Sequence, residues 1–457
     1  MFTAIPGSRG KHLLSLILGI IFLQFALRET WVHSLASTVL CYLCVLVLPR
    51  SVSPLLVFVI SILWVAACHF YRMYHLDLLS DPYFLPDPSG AQMVLTIKLT
   101  SFAFNILDGK SVPPQAGTPQ DPSKQSPNDR ILQERRSRAI LHIPGPLEYF
   151  SYMLFFGGIL TGPAFDFVEF SSSLDHSKYT AIKPPTTTTT TPAKEASGKV
   201  KIPSPVGPAL MRLLGALVFL SSYLLLQNIV TFRTLSEDLD GRAFSGKLLL
   251  IMLAAFGEKS KYFFVWLMAE AGCVLCSLGF AGYAKDASAD WSGLSNIDIG
   301  RFEFAESVRD VTVYWNKNTG LWLRRYVYER LPSPFNLLAT YFVSAFWHGF
   351  YPGYYLFFFT IGFAQDVTRR IRQKVRPYFM EADGKTPTRF KIFYDFLGFV
   401  FTYFWTSYAI ISYQVMHADK AFEIWGKLYF FGHIMLLIPL VVLPLIPSVG
   451  KRPAKQD

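Results

Sequence analysis

The chain reads as an all-α, polytopic integral membrane protein with about ten to twelve membrane helices, some re-entrant or tilted. Three observations predict that class. First, 51% of the 457 residues are hydrophobic and 16% aromatic, while only 16% are charged, against roughly 25% in soluble domains. Second, the mean hydropathy is positive, +0.31. Third, several runs carry no charge over the roughly 20 residues that a helix needs to cross a bilayer. Such a composition excludes a disordered or fibrous chain, most cytosolic enzymes and a soluble nucleic-acid binder. The net charge of +11 then reflects basic cytosolic loops facing anionic lipid.

Residues 1–457 read as one membrane domain, with a short polar tail at 448–457. Arg9 and Lys11 precede the apolar run His12–Leu27, as in a signal peptide, but Arg28-Glu29-Thr30-Trp31 offers no small-residue cleavage site, so the run is read as a retained helix. Leu35–Leu48 and Leu55–Phe70 follow, then the weaker candidates Met93–Leu107 and Leu147–Phe165. Leu213–Phe232, Phe396–Met416 and Leu428–Pro447 are the strongest spans, and Leu248–Phe256 and Tyr262–Tyr283 are weaker ones. Leu331–Gln365 is uncharged but too long for one span; Pro352-Gly353 predicts two helices with a turn at Tyr351–Tyr354. Two segments lack the apolar content to fold alone: a flexible basic loop at 109–140, and a low-complexity loop at 171–208 holding the threonines 186–191. Eight Lys and Arg residues between Arg369 and Lys391 predict a cytosolic loop. Cys41/Cys44 and Cys273/Cys276 lie in apolar helices, where spacing of three suits packing better than metal or redox chemistry.

Two stretches carry candidate chemistry. In Asn336–Gly353, Thr340, Ser344 and His348 recur every fourth residue and so stack on one helix face. A histidine in a membrane helix is costly without a partner or a task, so this stripe faces protein or a water-filled cavity. Periodicity alone leaves open whether His348 is a satisfied interior residue or a reacting one. In Val313–Leu331, Asn316, Lys317, Asn318 and Thr319 sit between Trp315 and Trp322, followed by Arg324, Arg325 and Arg330. This is the composition of an amphipathic helix at a membrane interface, and equally of a basic face meeting a phosphorylated ligand.

Both stretches resemble the membrane-bound O-acyltransferase family in its lysophospholipid acyltransferase branch. The resemblance rests on WNKNT (315–319) and S-A-x-W-H-G-x-x-P-G-Y-Y (344–355). It extends to HFYRMY (69–74), QMVLTIKLTSFAFN with Asp108-Gly109, TGPAFDFVEF (161–170) and the segment 264–283. The GPAFD block looks most like fungal-type members of broad specificity. The two low-complexity loops depart from the family pattern.

The resemblance implies that His348 and Asn316 are the catalytic pair. Acyl transfer from a thioester to an alcohol needs a base for the hydroxyl proton, which suits histidine, and a donor for the tetrahedral oxyanion, which suits an amide. It further implies Ser344, Thr340 and Trp347 as orienting residues, with Trp315, Lys317, Arg324 and Arg325 as weaker candidates for acyl-CoA. The implied partners are acyl-CoA as co-substrate, a lysophospholipid and membrane lipids, with no metal, no further cofactor and no nucleic acid. The implied location is the endoplasmic reticulum membrane. Two rivals stand beside this reading. One is a family member acting on a sterol, diacylglycerol or protein; the other is a transporter or channel whose pore the 335–348 stripe would line.

Overall fold

Long, largely apolar helices set the frame. A computed structural model describes residues 2, 5, 7–75, 86–111, 126–180, 182, 202–381 and 383–447. The threonines 186–191 and the tail 448–457 lie outside the described residues. The N-terminal half begins α1 (Ser8–Leu27), α2 (Trp31–Val47), α3 (Ser53–His75) and α4 (Ser89–Ser111). Shorter helices follow: α5 (Pro127–Arg138), α6 (Pro146–Met153), α7 (Phe167–Leu174) and α8 (Ser177–Thr180). Then come α9 (Val206–Gln227), α10 (Leu235–Asp238), α11 (Phe244–Leu275), α12 (Ile299–Glu303) and α13 (Val308–Tyr314). The last group is α14 (Lys317–Tyr326), α15 (Phe335–His348), α16 (Pro352–Val375), α17 (Lys391–Val415), α18 (Ala418–Lys427) and α19 (Phe431–Val442). One short ribbon pairs Gly282–Tyr283 with Ala289–Asp290.

Five stretches among the described residues are long and apolar enough to cross a membrane: Ser8–Val47, Ser53–Tyr74, Ser89–Ser111, Val206–Gln227 and Lys391–Val415. The pair Ala418–Lys427 and Phe431–Leu445 reaches span length only when taken together, across a bend of 76°, the geometry of a broken span or a re-entrant loop. The chain is therefore a multi-pass membrane protein. Other apolar runs make helices too short or too charged to cross alone. Leu147–Phe165 yields only the eight-residue α6, and α15 has 14 residues. The runs Leu248–Phe256 and Tyr262–Tyr283 merge into the 32-residue α11, interrupted by Glu258, Lys259 and Lys261. Those charges are matched: Lys261 pairs with Glu258, and Lys259 meets Glu303 at 2.8 Å.

The break in Leu331–Gln365 falls one turn before the predicted position. α15 ends at His348, and Pro352 opens α16 at a first-turn position, where its missing N–H costs nothing. Part of the basic loop 109–140 is ordered as α5. Ser126 caps it, its hydroxyl accepting from the Asp129 amide at 3.2 Å, with Pro127 at the first helical position.

The chain forms two compact units. The first comprises Met1–Ala216, Val265–Asn296 and Leu321–Thr340; the second comprises Leu217–Phe264, Ile297–Gly320 and Tyr341–Asp457. In the first, an aromatic core of Tyr149, Tyr152, Phe155, Phe165, Phe167 and Phe170 packs beside α4, with Cys41, Cys273 and Cys276 buried in it as small apolar side chains. Lys98, fully buried on α4, donates to the carbonyls of Tyr152 and Met153 and so satisfies the end of α6. In the second, Tyr408 of α17, Trp425 of α18 and Leu428 just after it pack with Leu235, Ile251 and Ala255, while Val308, Ala364, Val367 and Trp405 form a neighbouring cluster.

Candidate active site

His348 is the last residue of α15. The helix turns one face outward through Phe335 (67% exposed), Leu338 and Phe342, as expected against lipid, and buries Ser344, Ala345 and Trp347. The polar stripe read from the sequence thus lies on the protein-facing side. Thr340 bonds back to its own helix, its hydroxyl donating to the Asn336 carbonyl at 2.7 Å.

At the helix end the imidazole is half-buried among aromatic rings. Phe358 lies 5.0 Å away at 31°, Trp347 at 4.7 Å, Tyr413 at 5.5 Å and Tyr354 at 6.1 Å between centroids. A polar contact helps to orient it: Nδ1 is 3.2 Å from the Tyr413 hydroxyl. Two glycines make this geometry possible. Gly349, at φ +120°, ends the helix in a conformation that L side chains rarely adopt. Gly353 lets α16 lie directly on the last turn of α17, its amide donating to the Met416 carbonyl at 2.6 Å. That register brings Tyr413 of α17 against His348.

Asn316 does not lie within a continuous interface helix, which corrects that reading of Val313–Leu331. α13 stops at Tyr314, Trp315 is extended, and Asn316 takes φ +43° before α14 begins at Lys317. Its carbonyl accepts the first helical bond of α14, from Gly320 at 3.1 Å. Asparagine tolerates this left-handed conformation better than most residues, which accounts for its presence at the break. The turn is held by Trp315, whose ring packs on Phe302 at 4.8 Å and on Tyr262 at 5.5 Å. Beside it, Lys259 lies 5.6 Å from the Phe302 ring and pairs with Glu303. Asn316 and His348 both belong to the second unit, each at a break where a helix ends or begins.

Arg324 and Arg325 are engaged with carboxylates of the first unit. Arg324 meets Glu134 at 2.7 Å; Arg325 meets Glu134 at 3.5 Å and Asp166 at 3.4 Å. Burial pushes the Glu134 carboxyl up, but Arg324, Arg325 and Arg138 outweigh it and hold it below the usual range. Asp166 is the hub. Its Oδ1 accepts from Asn105 at 3.0 Å and from the Tyr326 hydroxyl at 2.8 Å, and Arg138 approaches within 3.7 Å. Alongside, Arg330 grips Asp108 through two bonds of 2.6 and 2.8 Å. The blocks FAFN, GPAFD and RRY, far apart in the chain, thus converge on one polar network that ties α4, α5 and the segment before α7 to the end of α14. Their residue types follow from satisfying a buried carboxylate.

Comparison with known proteins agrees with this architecture. Residues 60–411 match the membrane-bound O-acyltransferase family. The chain belongs to that family. It is 32% identical to a lysophospholipid acyltransferase of Schizosaccharomyces pombe, over 78% of this chain and 66% of that protein. It is 28% identical to lysophospholipid acyltransferase 6 of Drosophila melanogaster, over 96% of this chain and 57% of that protein. A membrane-bound glycerophospholipid O-acyltransferase 2 of Mus musculus is 28% identical over 98% of this chain and 81% of its own length. The chain therefore spans less than two thirds of the length of the first two relatives.

Sequence reasoning missed Tyr413 and the Asp166 hub. Tyr413 sits in an aromatic-rich span, where nothing local separates it from Tyr403 or Tyr408. Asp166 had a signal: a carboxylate flanked by phenylalanines in a proline-containing block.

Proposed function

We propose that the protein transfers a fatty acyl group from acyl-CoA to the free glycerol hydroxyl of a lysophospholipid, with His348 as general base and Asn316 as oxyanion donor. The observation that carries the reading is the half-buried imidazole whose Nδ1 is held by Tyr413, in a chain of an O-acyltransferase family. When Nδ1–H donates to the Tyr413 oxygen, Nε2 keeps its lone pair and serves as the base. Nε2 takes the hydroxyl proton as that oxygen attacks the thioester carbonyl. The negative charge that forms on the carbonyl oxygen is met by the Asn316 amide, at the N-terminus of α14 where the helix dipole favours an anion. Collapse breaks the carbon–sulfur bond, and the departing CoA thiolate takes the proton back from the imidazolium. A thioester is already activated, so no acyl-enzyme is needed and Ser344 serves packing and orientation.

The relatives bearing the name lysophospholipid acyltransferase support a lysolipid acceptor. On this reading the enzyme works in the endoplasmic reticulum membrane. Lys317, at the start of α14, remains a candidate for a CoA phosphate; Arg324 and Arg325 act chiefly by fixing α14 through Glu134 and Asp166. The test is purified protein with labelled acyl-CoA and a panel of lysolipids differing in headgroup. Labelled phospholipid should form, and His348→Ala should slow it by about 10²–10⁴-fold. Formation at the wild-type rate by the variant rules out the base assignment; no phospholipid from any lysolipid rules out the acceptor class.

A further inference from the structure

The second unit carries a basic hairpin that the proposed chemistry does not use. After α16, a 3-10 turn (Arg376–Phe379) leads into a tight reversal in which Met380 pairs with Pro387. The Glu381 amide donates to the Thr386 carbonyl at 2.8 Å, and the Thr388 amide to the Phe379 carbonyl at 3.0 Å. Asp383 stiffens the tip by accepting from the amides of Lys385 and Thr386, both at 2.8 Å. The described residues are thus an ordered device, not a slack loop.

Part of its charge is met by carboxylates close by in the chain. Arg369 and Arg370 share the single carboxylate of Asp366, and Lys391 pairs with Asp395. Arg372, Lys385 and Arg389 are exposed, Arg376 is half-buried, and the only other acids of the segment are Glu381 and Asp383. Interleaved with them are Tyr378 (46% exposed) and Phe390 (50% exposed), the latter under the Arg389 guanidinium at 4.7 Å. The hairpin runs directly into α17, one of the helices long enough to cross the bilayer. Exposed arginine, lysine and aromatic side chains at the mouth of a span are the composition that anchors at the headgroup layer.

We propose that this hairpin is an interfacial platform that holds anionic phospholipid headgroups of the surrounding bilayer at the start of α17. Arg372, Arg376, Lys385 and Arg389 supply the charge, and Tyr378 and Phe390 enter the boundary between headgroup and acyl chain. The proposal does not depend on the acyl-transfer reading.

The experiment uses the full chain in nanodiscs of phosphatidylcholine with about one-fifth phosphatidylserine, a fraction giving a moderate surface charge. Bound lipid is counted by native mass spectrometry. The wild type should retain phosphatidylserine at least about threefold above its bulk fraction, falling as salt rises. Arg372→Gln/Arg376→Gln/Lys385→Gln/Arg389→Gln should bring retention back to the bulk fraction. Arg369→Gln/Arg370→Gln, which removes two charges that share the Asp366 carboxylate, should keep most of it. A wild type with no enrichment, a quadruple variant that keeps it, or a control that loses as much as the quadruple variant overturns the proposal.

Discussion

Replacing Gly353 by alanine tests the link between packing and chemistry most directly. A Cβ at this position would stand 2.7 Å from the carbonyl carbon and oxygen of Met416, and closer still to the Ser412 carbonyl oxygen. These are backbone atoms of the last turn of α17, with no rotamer to give way, and contacts under 3.0 Å essentially do not occur. Either α17 withdraws or the start of α16 unwinds and loses the bond from Gly353 to Met416. Overpacking costs roughly 1–3 kcal/mol and the lost bond about 1 kcal/mol, so the variant should be destabilised by about 2–4 kcal/mol. Tyr413 follows Ser412 in α17 and lies 3.2 Å from His348 Nδ1. A withdrawal of only about 0.4 Å takes that contact to the distance at which it ceases to be a hydrogen bond. Misplacement of this size should lower acyl transfer by about 10- to 100-fold. Thermal unfolding followed by size-exclusion fluorescence, with initial rates at saturating acyl-CoA, measures both effects. A Gly353→Ala protein with the wild-type melting temperature and rate would refute the claim that close approach at Gly353 sets the Tyr413–His348 contact.

Other predictions concern the two breaks and the ion-pair network. Tyr413→Phe should lower kcat about tenfold, the value of one hydrogen bond, with little change in KM, because Tyr413 orients the base without touching substrate; a change confined to KM would place it in the binding path. Asn316→Gly should cut turnover by about 10²–10³-fold at nearly unchanged melting temperature, whereas Asn316→Ala should also destabilise by about 1 kcal/mol because alanine resists φ +43°. The Asn316→Gly/His348→Ala pair should be little worse than the worse single if the two act as one unit; multiplicative losses would separate them. Glu134 is held below its usual range by Arg324, Arg325 and Arg138, so its folded form binds protons less readily than the unfolded chain. Its contribution is complete above about pH 4.3, the unfolded glutamate value, and is lost as pH falls through the lower folded value. Melting temperatures should drop across that acid window in the wild type and less in Glu134→Gln; equal slopes would show that the pairing adds nothing to stability.

The contrast between α15 and α14 shows how far the chain could be read locally. The uncharged run, the four-residue spacing of Thr340, Ser344 and His348 and the Pro352 stop were legible, because helix period and proline act over a few residues. Asn316 was legible as a polar island but not as a helix break, since its left-handed turn is stabilised by Trp315 seated on Phe302 and Tyr262, rings contributed from elsewhere in the sequence. Helix α5 had a readable start in Ser126-Pro127 and Asp129, yet its scarcity of apolar residues argued for a loop. Ion pairs supply what apolar burial does not: Arg138 and Glu134 lie on one turn of it and meet Asp166, Arg324 and Arg325.

The sequence alone determined that the chain must live in a membrane, where two of its three strongest spans lie, and that one polar stripe ends at His348; the third, Leu428–Pro447, holds only the 12-residue α19, which reaches span length together with α18 across a 76° bend. Those properties depend on the hydropathy and spacing of neighbouring residues, and bilayer thickness converts them directly into helix lengths. Only the tertiary structure decided what each polar group meets. Arg324 and Arg325, read as basic residues available to a ligand, found Glu134 and Asp166 more than 150 residues away, and His348 found Tyr413 across 65 residues. Such partners are set by the register at which helices pack, and at Gly353 that register rests on a single missing methyl group.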